Sequence, residues 1–449
     1  MPRLPRIAVG TIQREAKSQT MLWALMDALR QSGLHVQSFL SQAWFPTCQG
    51  LTTVTGLPPR HLDSWLMSPE TCRATFVRGA READLALVHG QFESAVPRGE
   101  SGGRLATLCR WLNLPRVVVF DAARADPHVM PERPARVDGV LLDRVADRRQ
   151  LARLSTDLEV LWGVPVLGAL ETLPRLRAAL EAVPHGERPS PGSCEELGDR
   201  LMQNWQPEHL WSLAVGREFP RVGGEPLSIE PAVAKLTVAI AYDEAFNGYF
   251  QDTLDLLELR GASIVDFSPL RDEGLPPGTD LVYLGCGHPE RHAAALAENH
   301  CMKAALRSHL AAGRRVYAEG GGAAYLCQHM ETPDGNFSRM VGIFPAAARR
   351  KRASTRPTPI EVTLSEPNWL GDASTRLRGY RNARWAIEPL GHLPRLVAEE
   401  PSRYDLVGSF RAIGSMLHLD FAAHPLSLDR FFYPRDPQPS FSDPWAAVL

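Results

Sequence analysis

Residues 6–32, RIAVGTIQREAKSQTMLWALMDALRQS, contain the pattern that decides the fold of the first half of the chain. An apolar run at Arg6–Val9 leads through Gly10 into a polar loop, and Thr20–Ser32 then has the apolar spacing of an amphipathic helix. A buried strand that passes through such a loop into a helix is typical of the phosphate-binding edge of a parallel sheet. The segment therefore predicts an α/β fold.

The same alternation of short apolar runs and helical patterns continues along the chain and indicates two α/β domains. The further strands predicted in the first half are Val36–Leu40, Leu85–Val88, Arg116–Phe120, Gly139–Leu142 and Val164–Leu167. In the second half the first four predicted strands are Leu236–Ala241, Ser263–Phe267, Leu281–Leu284 and Arg315–Ala318. Pro, Gly and charged residues dominate 184–231, apart from a helical stretch at Cys194–Trp205. We expect domains at residues 1–183 and 235–449, with 184–234 as a linker that carries a short helix.

The composition restricts the partners of the protein. The 449 residues include 49 Lys and Arg against 51 Asp and Glu, for a formal charge of −2, which provides no net field for nucleic acid. No apolar stretch is long enough to predict a membrane span or a signal peptide. The seven cysteines are scattered without a CxxC pair, which indicates reduced thiols in a cytoplasmic protein and no metal site.

Ten stretches, in order along nearly the whole chain, match one known family. They are TGLPPRHLDSWLM, ADLALVHG, DGVLLDRV and GVPVLGAL in the first half, and VAIAYDEAFNGYF, GASIVDFSPLRDEGLP, LGCGHPERHAAALAEN, RVYAEGGGAAYL, MVGIFP and GSMLHLDFAAHP in the second. On these stretches the chain resembles the cobyrinic acid a,c-diamide synthase family of cobalamin biosynthesis. The resemblance implies a P-loop-like synthetase domain, a parallel sheet with helices on both faces, fused to a class I glutamine amidotransferase-like α/β domain. It also implies ATP, Mg²⁺ and a carboxylated tetrapyrrole, whose carboxylate is converted to an amide with ammonia from glutamine.

The glutaminase nucleophile that this resemblance implies is missing. The family presents a cysteine within Ala-Glu-Cys-Gly-Gly, where this chain has AEGGG at 318–322 and therefore Gly320. A glycine has no side chain with which to attack a carboxamide. His418 matches the family's catalytic base, and Gly285–Gly287 matches its oxyanion loop, with Cys286 in place of a glycine. Cys286 either approaches the site as a substitute thiol or fills a glycine position as a small buried side chain.

The predicted nucleotide loop is also altered. Gly10, Lys17 and Ser18 match the family's phosphate loop, but the glycine before the lysine is Ala16. The family's first acidic metal position has no counterpart, and its second is His89. Because Mg²⁺ prefers carboxylate ligands, these changes argue against the usual binding of Mg-ATP.

Four further residues are possible ligand contacts. Asp243, Asn247 and Tyr249 follow the first strand of the second domain, where a ligand could reach them, although Asp and Asn also commonly cap helices. Arg381, within RGYRNAR, could contact a carboxylate-rich ligand. These two interpretations of the polar residues remain open.

Two functions fit these observations. The first is a divergent family member without glutaminase activity or standard Mg-ATP use, which acts as a tetrapyrrole-binding protein, as a homodimer or as a partner of an active paralogue. The second is an ATP-dependent amide synthase that takes ammonia from solution. Neither function involves nucleic acid or a membrane.

Overall fold

The computed structural model describes residues 4–13, 18–45, 48–92, 102–126, 132–184, 186–220, 231–351, 357–398 and 403–434, and two compact units divide the chain at Leu227/Ser228. Each unit contains a largely or wholly parallel sheet and helices. The predicted α/β fold class is therefore confirmed. Among the described residues, no helix combines the length and hydropathy needed to cross a membrane.

The first unit is built on a seven-stranded sheet with the order β3-β2-β4-β1-β5-β6-β7 and parallel pairing throughout. Its strands are β1 Arg6–Thr11, β2 Val36–Leu40, β3 Arg60–His61, β4 Leu85–Gln91, β5 Arg116–Asp121, β6 Gly139–Val145 and β7 Val166–Glu171. Its helices are α1 Gln19–Gln31, α2 Cys48–Thr55, α3 Pro69–Gly79, α4 Leu105–Trp111, α5 Arg148–Trp162, α6 Pro174–Glu181, α7 Pro191–Met202 and α8 Pro207–Val215. Parallel pairing brings the loops that follow the strands to one edge of the sheet.

The segment predicted as a linker contributes two helices to the first unit. Cys194, Leu197 and Leu201 form a buried face of α7, and Leu210 and Ala214 are buried on α8. All five side chains belong to the same apolar core as α1. Their helical spacing outweighs the polar composition of the segment, because one apolar face is sufficient to hold a helix against a core.

The second unit contains a six-stranded sheet with the order β10-β8-β11-β13-β21-β20, parallel except at β20. Its strands are β8 Leu236–Ala241, β9 Phe246–Gly248, β10 Ala262–Phe267, β11 Leu281–Leu284, β12 Cys286–Gly287, β13 Arg315–Glu319, β14 Cys327–Glu331, β15 Phe337–Arg339, β16 Phe344–Arg350, β17 Thr358–Thr363, β18 Arg376–Arg381, β19 Trp385–Pro389, β20 Leu406–Gly408, β21 Ala412–Ser415 and β22 Leu417–His418. Its helices are α9 Gln251–Leu259, α10 Ala293–Glu298, α11 His300–Ala311, α12 Gly321–Leu326 and α13 Pro425–Phe432. Two smaller sheets, β15-β14-β16-β19 and β17-β18-β22, and the pair β12-β9 complete the unit.

Candidate active site

Gly320 forms a sharp turn between a strand and a helix. Strand β13 ends at Glu319, α12 begins at Gly321, and Gly320 between them has φ +50° and ψ −107°. This left-handed conformation is strained for any residue with a side chain and is found mainly at functional sites. The turn on which the family carries its nucleophile is thus retained, although Gly320 itself supplies no reactive atom.

The thiol of Cys286 lies in the space that a side chain at Gly320 would need. A Cβ atom built on Gly320 would be 3.1 Å from Cys286 Sγ and 2.7 Å from Asn382 Nδ2. Cys286 reaches this point from β12, which follows β11, the strand beside β13. Cys286 is thus both a buried side chain and close to the turn, and its role as a substitute thiol stays a prediction.

His418 contacts this thiol directly. The last residue of β22 is His418, and its Nδ1 atom lies 3.2 Å from Cys286 Sγ. Both side chains are buried. The residue predicted as the catalytic base therefore faces a thiol, but that thiol belongs to the oxyanion loop instead of the turn.

Asn382 favours one tautomer of this histidine. Its side-chain oxygen accepts hydrogen bonds from the backbone N–H groups of Arg384 and Trp385 at 2.8 and 3.2 Å. These bonds orient the amide group so that its Nδ2 atom points to His418 Nε2 at 3.4 Å. Because an amide nitrogen can only donate, this contact favours Nε2 as the acceptor and thus places the proton of a neutral imidazole on Nδ1.

This tautomer opposes base catalysis on Cys286. The imidazole presents its Nδ1–H to the sulfur, whereas a general base needs a lone pair directed at the proton that it removes. Protonating Nε2 would set two donors, the imidazolium and the Asn382 amide, against each other. In this tautomer the nitrogen next to the Cys286 thiol has no lone pair with which to accept its proton.

Glu319, the residue before the turn, is buried beneath it. Its carboxylate accepts hydrogen bonds from the hydroxyl groups of Tyr317 at 2.7 Å and Tyr283 at 3.4 Å. Burial raises the pKa of Glu319 to about 8, although these tyrosines and the backbone N–H of Leu419 oppose the shift. Glu319 is therefore largely protonated at neutral pH.

Replacement of Glu319 by Gln is expected to remove a pH dependence of stability. A Glu pKa of 4.5 in the unfolded chain rises to about 8 on folding, so the folded state binds the extra proton between these values. The free energy of unfolding should fall as pH increases through that window, by up to about 5 kcal/mol, and level off above it. The stability of Glu319→Gln minus that of wild type should therefore be larger at about pH 9 than at about pH 5, as measured by thermal unfolding.

The exposed acid Glu298 provides the matched control for this measurement. Glu298→Gln should follow the wild-type pH dependence throughout the same range. A constant stability difference between Glu319→Gln and wild type at both pH values would contradict the prediction.

Cys286, Glu319 and His418 also form the single group, among the described residues, whose ligand atoms lie close enough to hold a metal ion. These atoms are within 4.8 Å of one another. A sulfur, an imidazole nitrogen and a carboxylate suit Zn²⁺ by type. An ion on either ring nitrogen of His418, however, would displace an existing contact, because Nδ1 faces the Cys286 sulfur and Nε2 faces the Asn382 amide. The trio therefore fits a thiol–imidazole contact better than a metal site.

The predicted ligand contacts near β8 are engaged within the fold. Asp243 accepts hydrogen bonds from the backbone of Ala245 at 2.8 Å and from the hydroxyl of Ser268 at 2.9 Å, and thus stabilises a turn. The Tyr249 hydroxyl accepts the Gly285 N–H at 2.9 Å, which occupies one amide of the predicted oxyanion loop. Burial raises the pKa of Tyr249 well above its ordinary value.

The other two predicted ligand contacts are Arg381 and Asn247. Arg381 donates from Nε and from a terminal nitrogen to the two carboxylate oxygens of Asp405, both at 2.8 Å, so its guanidinium is already paired. Asn247 is partly exposed on β9. Of the four predicted contacts, Asp243, Tyr249 and Arg381 therefore have clear structural roles.

The nucleotide loop is described only at its two ends. Gly10 lies at the close approach of β1 and β4, where a Cβ atom would be 2.6 Å from the Gly90 carbonyl oxygen. Ser18 directly precedes α1, and its carbonyl accepts the Leu22 N–H at 2.9 Å. Lys17 lies outside the described residues.

The residue at the family's second acidic position supplies no negative charge. His89 lies on β4 beside β1, and burial lowers its pKa to about 4. It is therefore a neutral imidazole at physiological pH, which does not fit the carboxylate expected for Mg²⁺ at that position.

Asp121 is a carboxylate near the loop that the sequence did not single out. It ends β5, the other neighbour of β1, and its backbone forms two hydrogen bonds with the Gln13 side chain at 2.6 and 3.1 Å. The carboxylate accepts the Ala123 N–H at 3.1 Å and lies 3.5 Å from Arg124 and 3.7 Å from Arg144. Only the pairing of β5 with β1 reveals this placement.

Comparison with known proteins gives first the class of the second unit and then the family of the chain. Residues 237–384 match the CobB/CobQ-like glutamine amidotransferase domain. A solved glutamine amidotransferase is 15% identical, with a TM-score of 0.34 over 43% of this chain and 98% of that one.

The similarity to curated proteins extends over both units. A cobyrinate a,c-diamide synthase of Synechocystis is 30% identical over 93% of this chain and 90% of that protein. A hydrogenobyrinate a,c-diamide synthase of Streptomyces coelicolor is 29% identical over 95% and 97%. The chain belongs to the cobyrinate a,c-diamide synthase family, as the sequence motifs predicted.

Proposed function

We propose that this protein binds a carboxylated tetrapyrrole of the cobyrinate type and does not hydrolyse glutamine, acting as a binding or partner subunit instead of a complete synthase. The substrate class is that named for its relatives. The observation that carries the proposal is the environment of Gly320. A retained turn without a nucleophile faces the Cys286 thiol, and the His418 nitrogen in contact with this thiol carries a proton and so cannot accept the proton of the thiol.

The chemistry of glutamine hydrolysis supports this proposal. The reaction needs a thiolate, a base that accepts its proton and donors for the developing oxyanion. Here the Cys286 sulfur faces an N–H of His418, and the Gly285 N–H is bonded to Tyr249. The contact between Cys286 and His418 thus weakens the first two requirements, and the bond between Gly285 and Tyr249 weakens the third.

The first unit supports the second part of the proposal, the loss of standard Mg-ATP use. The neutral His89 stands where a carboxylate would help to hold Mg²⁺, and the Asp121 carboxylate is engaged by a backbone N–H and two arginines. The described residues therefore fit Mg²⁺ poorly.

A glutamine hydrolysis assay tests the catalytic part of the proposal. The purified full-length protein should release no more glutamate than its Cys286→Ala variant, with or without ATP and hydrogenobyrinate. Glutamate release by wild type that the Cys286→Ala variant lacks would refute the proposal and identify Cys286 as the nucleophile.

A titration of visible absorbance tests the ligand part. Cobyrinate and hydrogenobyrinate should each give a saturable band shift without ATP. A corrinoid whose carboxylates are already amides is the matched control and should give a weaker shift, because it offers the protein no charge. The absence of a shift with both acids would eliminate the tetrapyrrole proposal.

A second candidate function, ATP-dependent amidation with free ammonia, is favoured by Asp121. This carboxylate lies at the end of a strand beside β1, where a metal-bound phosphate chain would be held. The candidate predicts an amide product from cobyrinate, ATP and ammonium chloride, detected by mass spectrometry. Asp121→Asn should abolish the product, whereas Glu159→Gln, on the exposed face of α5, should not. Lack of product with wild-type protein would exclude this candidate.

A further inference from the structure

A cavity of about 700 Å³ lies in the first unit at the amino ends of β5 and β6. Arg116 is the first residue of β5, and Asp138 directly precedes β6. We call it the arginine cavity, because its charged lining consists of Arg110, Arg116, Arg133, Arg136, Arg217 and Asp138. The described part of this lining thus has five positive charges and one negative charge.

The cavity is distinct from the nucleotide loop. The loop follows the carboxyl end of β1, and β1 and β5 run parallel, with Ala8 opposite Arg116. The amino and carboxyl ends of strands of this length are roughly 15–20 Å apart, given a rise of about 3.3 Å per residue. The arginine cavity therefore lies at the opposite edge of the sheet.

The single carboxylate in the lining positions an arginine and leaves the described lining with an excess of positive charge. Asp138 accepts the backbone N–H of Arg116 at 2.7 Å with one oxygen and a terminal nitrogen of Arg217 at 2.6 Å with the other. The second terminal nitrogen of Arg217 donates to the Leu114 carbonyl at 2.9 Å. Arg217 is thus fixed before any ligand arrives, which reduces the entropic cost of binding.

Another arginine behind the lining adds to the positive potential. Arg6 is buried and donates to the carbonyl oxygens of Arg217 and Glu218 at 3.1 and 2.8 Å. Burial, followed by the charge of Arg217, lowers the pKa of Arg6 to about 10. Arg6 therefore remains a cation at neutral pH and reinforces the field of the cavity.

The arginine content of the cavity exceeds what the composition of the chain explains. Of 49 basic residues, four are lysines, so 45 of 449 residues, one in ten, are arginine. Among the residues that line the arginine cavity, five of eleven are arginine. Guanidinium groups bind phosphate and carboxylate oxygens through paired hydrogen bonds, and the volume falls in the usual range for small-ligand sites, about 300–1,000 Å³.

We infer that the arginine cavity is a second ligand site, which binds a compact anion with two or more phosphate or carboxylate groups. The inference is independent of the proposed tetrapyrrole function, because it concerns the opposite edge of the first unit from the nucleotide loop.

Calorimetric titration of the full-length protein with inorganic pyrophosphate and with citrate tests the inference. A Lys17→Ala background removes the loop lysine as a competing anion contact. In that background at least one of the two anions should bind at about 0.15 M salt, where long-range attraction is screened. A preference for pyrophosphate would assign the site to phosphates, and a preference for citrate would assign it to carboxylates.

Paired variants separate the cavity from the general charge of the protein. Arg133→Ala/Arg136→Ala removes two exposed arginines of the cavity, and Arg149→Ala/Arg175→Ala removes two exposed arginines elsewhere in the unit. The cavity pair should weaken binding at least tenfold and the control pair less than twofold, with unchanged thermal unfolding of both. Failure of both anions to bind, or equal weakening by the two pairs, would overturn the inference.

Discussion

The Asn382→Asp variant is expected to carry a larger thiolate fraction at Cys286 than the wild-type protein at neutral pH. One carboxylate oxygen can keep the hydrogen bonds from the backbone of Arg384 and Trp385, and the other then faces His418 Nε2 as an acceptor. The imidazole can therefore hold protons on both nitrogens. Its Nδ1–H would donate to a thiolate instead of a neutral thiol.

The size of this effect follows from the charge-assisted hydrogen bond that the new carboxylate accepts. Such a bond is worth about 1.5–3 kcal/mol, so the ratio of thiolate to thiol should increase roughly tenfold to a hundredfold. Arg384, whose side chain donates to the Gly287 carbonyl at 2.7 Å, adds a positive charge beside the thiol. The variant should therefore behave as a cysteine–histidine pair with an acidic partner.

Ultraviolet absorbance measures the thiolate fraction. The thiolate signal of Cys286 is the absorbance of wild type or Asn382→Asp minus that of the same protein with Cys286→Ala. Alkylation of the Cys286 peptide, followed by mass spectrometry, gives an independent rate that excludes the exposed Cys301. Asn382→Ala is the control, because it removes the amide donor without supplying an acceptor, and its thiolate fraction should stay well below that of Asn382→Asp. Equal thiolate fractions in wild type and Asn382→Asp would contradict our assignment of the His418 tautomer.

The strands of the central sheets were the most predictable part of the structure. The predicted bounds of Val36–Leu40, Leu236–Ala241 and Leu281–Leu284 coincide with those observed. LTVAIA and LVYL are largely apolar, as strands buried on both faces require, whereas VQSFL includes Gln37 and Ser38. The two-residue strand Arg60–His61 has no such signal, since its pairing with β2 comes from the fold and not from local propensity.

The active-site environment was only partly predictable. The sequence identified Gly320, Cys286 and His418, because each lies within a local motif. Asn382 has no comparable signal, since only the antiparallel register of β18 and β22 brings it beside His418. The tautomer, and with it the chemical state of the site, depends on this contact across 36 residues of chain.

The single variant Gly320→Cys is expected to be destabilised, because the new side chain has no room. Its Cβ would lie 3.1 Å from Cys286 Sγ and 2.7 Å from Asn382 Nδ2, in a backbone conformation that already disfavours side chains. Such crowding costs about 1–3 kcal/mol. Cys286→Gly should relieve the sulfur contact, so the double variant Cys286→Gly/Gly320→Cys should recover part of the lost stability in thermal unfolding.

A thiol placed on the turn is also expected to give glutamine hydrolysis, the activity that we propose wild type lacks. In the triple variant Cys286→Gly/Gly320→Cys/Asn382→Asp, the nucleophile lies on the turn and His418 gains an acceptor for Nε2–H. Because a positioned acid–base group contributes roughly 10²–10⁴-fold to rate, the triple variant should exceed the double variant by at least tenfold in glutamate release. Triple variants with His418→Ala serve as the control and should be inactive. A folded triple variant whose introduced thiol reacts with iodoacetamide but releases no glutamate would show that the loss of glutaminase chemistry has a cause beyond the nucleophile and the tautomer.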